Sequence, residues 1–294
     1  MSRTISPATQ RPYGVQRVCR VWGFSRASFY RRCSESSKLP SRRGPKPIIE
    51  KSKMLEHIKE DICLSPFKGE GHRKIHARLL LAGKRVGRNQ VLELMRDNQL
   101  LSPHRSVYRR PTLHDGRIVT DVPNQMWGSD GTKVQTVEDG WVWVFSVAEH
   151  WNSECMGVHV CKTGDRFAAL EPVMRAVKNA FGSLEKGVAQ GLSLRIDNGS
   201  QYTSDYFLEQ LAYWGIKSSF GLVRQPETNG VSERFHRTIK EQVIEGRVFK
   251  NVGEVREVVD QFVQIYNEQW LVAKRGYQSP LEARRNHERL GGAA

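Results

Sequence analysis

Three acidic residues stand where a carboxylate could do more than be solvated: Asp130, Asp197 and Glu233. Phosphodiester chemistry needs charge neutralised on both the attacking and the leaving oxygen, which two divalent ions about 3.5 to 4 Å apart can supply. Hard ions such as Mg2+ or Mn2+ prefer carboxylate oxygens, and a few carboxylates plus water and substrate oxygens are enough to hold them. Asp130 lies in QMWGSDGT, in the middle of a strand-like run, where a charge is out of place unless it has a partner. The competing reading makes Asp130-Gly131 a hairpin turn, a role that Asp139-Gly140 downstream could equally fill. Asp197 closes the apolar run LSLRID and enters a glycine-containing turn, where open sheets expose functional groups and where a turn-capping aspartate would also sit. Glu233, in ETNGVSERFHRTIK, opens a helix on which His236, Arg237 and Lys240 come next at or near the same face. These are either ordinary solvated Glu–Arg pairs or basic groups set where a phosphate would approach a metal on Glu233.

The elements that would position these acids are legible from residue 125 onward. Val-, Trp- and Phe-rich runs over 125–134, 140–150 and 154–161 read as three strands, with Asp139-Gly140 as a hairpin signal between the first two. Then come an amphipathic helix over 166–181, a short buried strand over 192–196, a helix over 204–214, a strand over 216–220 and a helix over 229–246. A three-stranded meander and then alternating helix and strand predict an α/β domain, a mixed five-stranded sheet flanked by helices in the ribonuclease-H order. A further helix over 255–267 and a tail without sheet of its own complete the chain.

The first two-fifths differ in chemistry. Of a net charge of +15, residues 1–115 carry 25 Lys and Arg against 9 Asp and Glu, whereas the remainder carries 21 against 22. A basic module joined to a near-neutral one predicts that the front meets a polyanion, DNA or RNA. Residues 14–32 place Val15, Val18 and Trp22 on one helical face, break at Gly23, and restart at Ser25, a natural N-cap, with Arg26 and Arg31 on the second helix. That is a helix-turn-helix layout, though an ordinary helical hairpin fits as well. Residues 34–47 read as an exposed linker rich in Ser, Pro and charge. A second basic helical unit comes next, with helices over 51–64 (Met54, Leu55, Ile58 and Ile62 as the stripe), 72–82 and 88–100, bearing Arg73 and Arg88. Residues 105–117 form a connector able to lie along a phosphate backbone. The domain divisions expected are therefore 1–47, 48–117, 118–250 and 251–294.

Several classes are set aside. The longest apolar stretch, 141–148, is too short to span a bilayer and the first ten residues lack the apolar core of a secretory signal, so a cytoplasmic, nucleoid-associated protein is expected. Five scattered cysteines contain no C-x-x-C pair, which suits reduced thiols. His72 and His76 stand four apart but lack further ligands at zinc-site spacing, so a basic helix face is the better reading.

Together these residues resemble the DDE transposases and integrases, and in particular the second-frame catalytic protein of family three insertion sequences. Between Asp197 and Glu233 lie 35 residues, the D-D-35-E spacing, and Lys240 stands seven beyond Glu233 where that family carries a basic residue. The flanking words match too: W-x-x-D-x-T over 127–132, D-N-G-S-Q-Y over 197–202 and N-G-x-x-E-R-F over 229–235. GHRKIHARL with GRNQVLELMRDNQL upstream, and YNEQW with GYQSPLEA downstream, are similar to the family's flanking segments. The resemblance implies that Asp130, Asp197 and Glu233 bind two Mg2+ or Mn2+ ions, that water cuts the element's terminal repeats, and that the freed 3′-hydroxyl attacks target DNA without a covalent enzyme intermediate. It also implies that Lys240 positions a terminal phosphate, that the chain works as a homo-oligomer in a synaptic complex, and that an upstream first-frame protein or fusion takes part. Unlike its retroviral relatives the chain has no His-His-Cys-Cys zinc module in front, which leaves end recognition to the basic helical units. Nor does it carry a leucine-zipper array. The alternatives are a catalytically silent DNA-binding regulator of transposition and a plain metal nuclease.

Overall fold

A computed structural model describes residues 3–33, 49–103, 118–221 and 230–291, and the chain divides into two compact units at residues 47 and 48. The expected linker over 34–47, the connector over 105–117 and residue 229, the expected start of the acid-bearing helix, lie outside the described residues.

In the first unit, α1 (Gly14–Val21) and α2 (Arg26–Cys33) are joined through Gly23, whose φ is +60°. Ser25 caps α2, its Oγ accepting from Ser28 N at 3.1 Å. The expected Val15/Val18/Trp22 stripe does not close, because Trp22 remains 66% exposed and Cys19 is the buried apolar residue on α1. Two helices of eight residues present little area to cover a tryptophan.

The second unit begins with a three-helix bundle, α3 (Lys51–Leu64), α4 (His72–Leu81) and α5 (Arg88–Asp97), around Met54, Ile58, Ile75, Leu79, Val91, Leu94 and Met95. Ile62, expected in the stripe, is 37% exposed, since α3 outruns the helices it packs on.

The sheet has the order β3-β2-β1-β4-β5. Its strands are β1 (Met126–Thr136), β2 (Gly140–Glu149), β3 (Cys155–Cys161), β4 (Ser193–Ile196) and β5 (Lys217–Phe220). The first three form an antiparallel meander and β4 and β5 add in parallel, the ribonuclease-H-like arrangement. Between Asp130-Gly131 and Asp139-Gly140, it is Asp139-Gly140 that turns the chain, with Gly140 at φ +67°. Asp139 also takes the N–H of Val252 at 2.8 Å and Lys162 Nζ at 2.7 Å, which anchors a later helix to the hairpin. Asp130-Gly131 lies inside β1, and glycine is needed there because a Cβ would stand 2.6 Å from the Phe145 ring.

Each face of the sheet carries its own core. One face packs Trp127, Phe145, Val147, Leu194 and Ile196 against α6 (Arg166–Phe181) and α7 (Asp205–Trp214). Asp165 caps α6 through Ala168 N at 2.8 Å, and Ser204 caps α7. The other packs Val134, Val142, Val144 and Ala148 against α8 (Gly230–Ile239) and α9 (Val252–Gln269). The single helix expected over 229–246 is in fact α8 continued by a wide π-turn over Lys240–Ile244, closed by Glu245 N on Lys240 O at 2.8 Å. The tail, expected to carry no sheet of its own, holds a 3-10 turn (Ala273–Arg275) and α10 (Pro280–Gly291). It is pinned to the sheet end by Arg284 on Glu154 at 2.5 Å and Arg275 on Trp151 O at 2.8 Å. Among the described residues no helix is long and apolar enough to cross a membrane.

Candidate active site on the helix-covered face of the sheet

The parallel ladder between β1 and β4 pairs Trp127 with Leu194 and Gly128 with Arg195. Two residues further along each strand come Asp130 and Asp197. Side chains alternate along strands, so both aspartates share a level and a face, the one covered by α8 and α9. Asp130 is half-buried inside β1, while Asp197 is exposed just beyond β4.

Local backbone fixes one oxygen of each. Asp130 Oδ1 accepts from Gly131 N and Asp197 Oδ1 from Gly199 N, both at 2.8 Å. Asp197 therefore does cap its turn, and the turn aims it. Below the pair, Tyr202 is fully buried with its hydroxyl 3.2 Å from Ser129 Oγ. Burial pushes that phenol up, and the charges of Asp130 and Asp197 add to the effect, so it stays protonated as a neutral floor.

The third acid comes from α8. Glu233 is half-buried in its first turn. His236, one turn on, is 4% exposed and its Nε2 lies 2.8 Å from Ser146 Oγ; Ser146 is the β2 residue paired with Asp130. Burial holds the imidazole below its usual pKa, against the pull of Asp130 and with the help of Lys240. His236 is thus turned inward, and the surface contact with DNA expected of it gives way to a bond beneath the sheet. Its apolar helix face, with Phe235 and Ile239 buried beside it, is the reason.

Among the described residues no group of three or more His, Cys, Asp or Glu is gathered closely enough to hold a metal ion. The structure sets Asp130 and Asp197 side by side and leaves Glu233 outside any closed cluster with them; His72 and His76 likewise belong to no such group. Carboxylate oxygens at adjacent strand positions suit a hard divalent cation, so the donors present fit Mg2+ or Mn2+ as far as two ligands go.

The residues expected to contact DNA are spread over three elements and more. Arg237 and Lys240 are exposed on α8 and at the start of the π-turn, and Arg73 and Arg88 are exposed at the starts of α4 and α5. His72 shows that those two helix starts converge: burial lowers its pKa, and Arg73, Arg88 and His76 lower it further. Arg26 and Arg31 belong to α2 of the first unit. Sequence reasoning passed over Ser129, Ser146 and Tyr202, whose small or aromatic side chains carry no charge signal; only the two-residue period of β1 and β2 could have put Ser146 on the face of Asp130.

Two models of the integrase core domain match the chain, over residues 121–226 and 214–280, and together they span more than half of it. The chain is 24% identical over 283 residues to the transposase for insertion sequence element IS629 of Shigella sonnei, covering 92% of this chain and 91% of that protein. It is 28% identical over 258 residues to the transposase assigned to insertion sequence element IS986/IS6110 of Mycobacterium tuberculosis, strain CDC 1551 / Oshkosh, covering 83% and 89%. The catalytic core domain of BIV integrase superposes with a TM-score of 0.43 at 18% identity, covering 57% of this chain and 98% of that one. With the integrase core domain laid over the whole sheet, both aspartates and the helix of Glu233, and with full-length relatives among insertion-element transposases, the chain belongs to the DDE transposases of the integrase superfamily.

Proposed function

We propose that this transposase, a polynucleotidyl transferase of DNA integration, uses Asp130, Asp197 and Glu233 as the metal-holding acids that cut the terminal repeats of an insertion element and join the freed 3′-hydroxyl to target DNA. The observation that carries the assignment is the shared level and face of Asp130 and Asp197. Glu233 supports it from the helix side, because His236, three residues on and on the same helix face, already touches the strand partner of Asp130.

Asp130 and Asp197 each spend one oxygen on their own backbone; among the described residues the other takes no hydrogen bond, which leaves it for a cation. Held by these carboxylates, two Mg2+ or Mn2+ ions would neutralise charge on the attacking and leaving oxygens. Burial holds the Tyr202 phenol above and the His236 imidazole below its ordinary pKa, one on each side of β1, which disfavours a charge on either. Lys240, exposed at the start of the π-turn two turns beyond Glu233, is placed to hold a terminal phosphate, and Arg237, Arg73 and Arg88 to carry the flanking duplex. The chain would act on nucleoid DNA as a homo-oligomer pairing two element ends, with an upstream first-frame protein or fusion.

The test is incubation of the full chain with labelled duplex bearing the element's own ends, with Mg2+ or Mn2+, beside Asp197→Asn. Metal-dependent nicks and joined products that vanish in the variant support the reading. Binding without cleavage would make the chain a silent regulator, and nicking without joining a plain nuclease.

A further inference from the structure

The three-helix bundle and the catalytic domain meet through a small joint. Its apolar half is Phe67, edge-on to Trp270 at 4.9 Å and to Phe262 at 6.4 Å between ring centroids. Its polar half holds two side chains: Lys74 of α4, whose Nζ stands over the Trp270 ring 2.8 Å from its centroid, and Gln242, whose Oε1 accepts from Lys68 N at 2.8 Å and whose Nε2 donates to Lys68 O at 2.9 Å. Both amide atoms are thus paired with one residue's backbone, as a neighbouring strand would pair it. Beside this contact lies a cavity of about 860 Å³ lined from both sides, among others by His72, Arg73, Glu241 and Glu245. With open space beside the joint, the angle between the two bodies is left to the Phe67 aromatic contacts, Lys74 on Trp270 and the Gln242 pair.

Both ends of the Gln242 contact are stiff. On the bundle side, Arg78 of α4 grips Asp61 of α3 with three hydrogen bonds of 2.8 to 3.0 Å and Glu70 with one of 2.5 Å. Glu70 also receives Ser65 Oγ at 2.9 Å and Lys74 Nζ at 3.1 Å. The segment carrying Lys68 therefore moves with α4. On the catalytic side, Gln242 sits in the π-turn that continues α8, two residues after Lys240 and less than three helical turns from Glu233. The extra residue in a π-turn rotates the succeeding side chains relative to a straight helix, and such turns recur at functional sites.

We propose that Gln242 is a positioning residue: it sets the angle of the DNA-recognition bundle relative to α8, so that an element end held by the bundle is delivered in register to the acids. The proposal rests on the assignment of Glu233 and Lys240 to the active site. It assigns Gln242 no contact with substrate. The network from Arg78 through Glu70 and Lys68 to Gln242 is contiguous, and the coupling it carries is measurable.

The experiment measures, on the full chain with labelled terminal-repeat duplex and Mn2+, end-binding affinity, single-turnover cleavage rate and the distribution of cut positions. It compares Gln242→Ala, Gln242→Glu and Glu233→Gln with the parent. Gln242→Ala is expected to bind ends within two-fold of the parent, to cleave about ten-fold more slowly, and to spread its cuts over neighbouring nucleotides, since small misplacements are costly. Gln242→Glu keeps the acceptor for Lys68 N and loses the donor to Lys68 O, and should fall between the two. Parent-like rate and cut positions in both Gln242 variants, with Glu233→Gln inactive, overturn the proposal alone; an active Glu233→Gln overturns the site assignment beneath it. A loss of rate in Gln242→Ala with cuts still at the parent position, or one matched by a fall in melting temperature and undiminished in Gln242→Glu, assigns Gln242 a merely structural role and also overturns it.

Discussion

Asp130 and Asp197 stand level with each other on adjacent parallel strands, because Gly128 pairs with Arg195 two residues before them. The level depends on this one short ladder between β1 and β4 rather than on either acid's own surroundings.

Conversion of either aspartate to asparagine keeps size and removes charge. Each variant should lose at least about 10²- to 10³-fold in cleavage rate, the scale for removing one electrostatic support. Melting temperature should stay near the parent value for Asp197→Asn, since Asp197 is exposed. Gel-resolved single-turnover cleavage, with melting measured by circular dichroism, checks both; an active Asp197→Asn would sink the ligand assignment.

Lys240→Ala, Arg73→Ala and Arg88→Ala each remove one exposed cation. If each meets one phosphate, log affinity plotted against log salt should flatten by about 0.9 per substitution. Fluorescence anisotropy titrations at several salt concentrations measure the slope, and an unchanged slope would remove that residue from the DNA contacts.

His150 gives the fold an acid limit. It is buried, and its pKa is lowered to about 4 by burial, Lys274 and Arg195. Unfolded, it titrates near the usual imidazole value, so between about pH 6.5 and 4 the unfolded chain binds the extra proton and stability falls as pH falls. The loss amounts to about 3 kcal/mol, and stability above pH 6.5 is unaffected by this group. Glu149, pushed up by burial, works in the opposite sense as pH falls. The difference between parent and His150→Gln in urea unfolding therefore isolates the effect, and a pH-independent difference would refute it.

Gly157→Ala should destabilise by about 1 to 3 kcal/mol or more, because the new Cβ would meet the Pro172 carbonyl oxygen of α6 at 2.2 Å and backbone cannot yield. Chemical denaturation reads it directly, and a neutral result would mean that α6 shifts freely over β3.

Much of the catalytic domain is written in short windows. The hairpin at Asp139-Gly140, the Ser204 cap of α7 and the strand that leads into Asp197 arise from turn chemistry, capping and short apolar runs, all of which act over a few neighbours. The order of strands and helices, and hence the ribonuclease-H-like sheet, could be read in advance for the same reason.

Other features depend on partners far along the chain. Asp130-Gly131 and Asp139-Gly140 look alike locally, and only the ring of Phe145 above Gly131 and the grip of Val252 and Lys162 on Asp139 separate a strand interior from a turn. His236, read beside Arg237 as one more basic surface group, is drawn inside by Ser146, 90 positions away. The π-turn after α8 and the pairing of Gln242 with Lys68, 174 positions apart, have no local signature either. The elements and the acids they carry were legible in the amino-acid order alone, because near neighbours set them. Register, the burial of His236 and the joint to the bundle were settled only by the folded chain, because each arises from packing between segments far apart in the sequence.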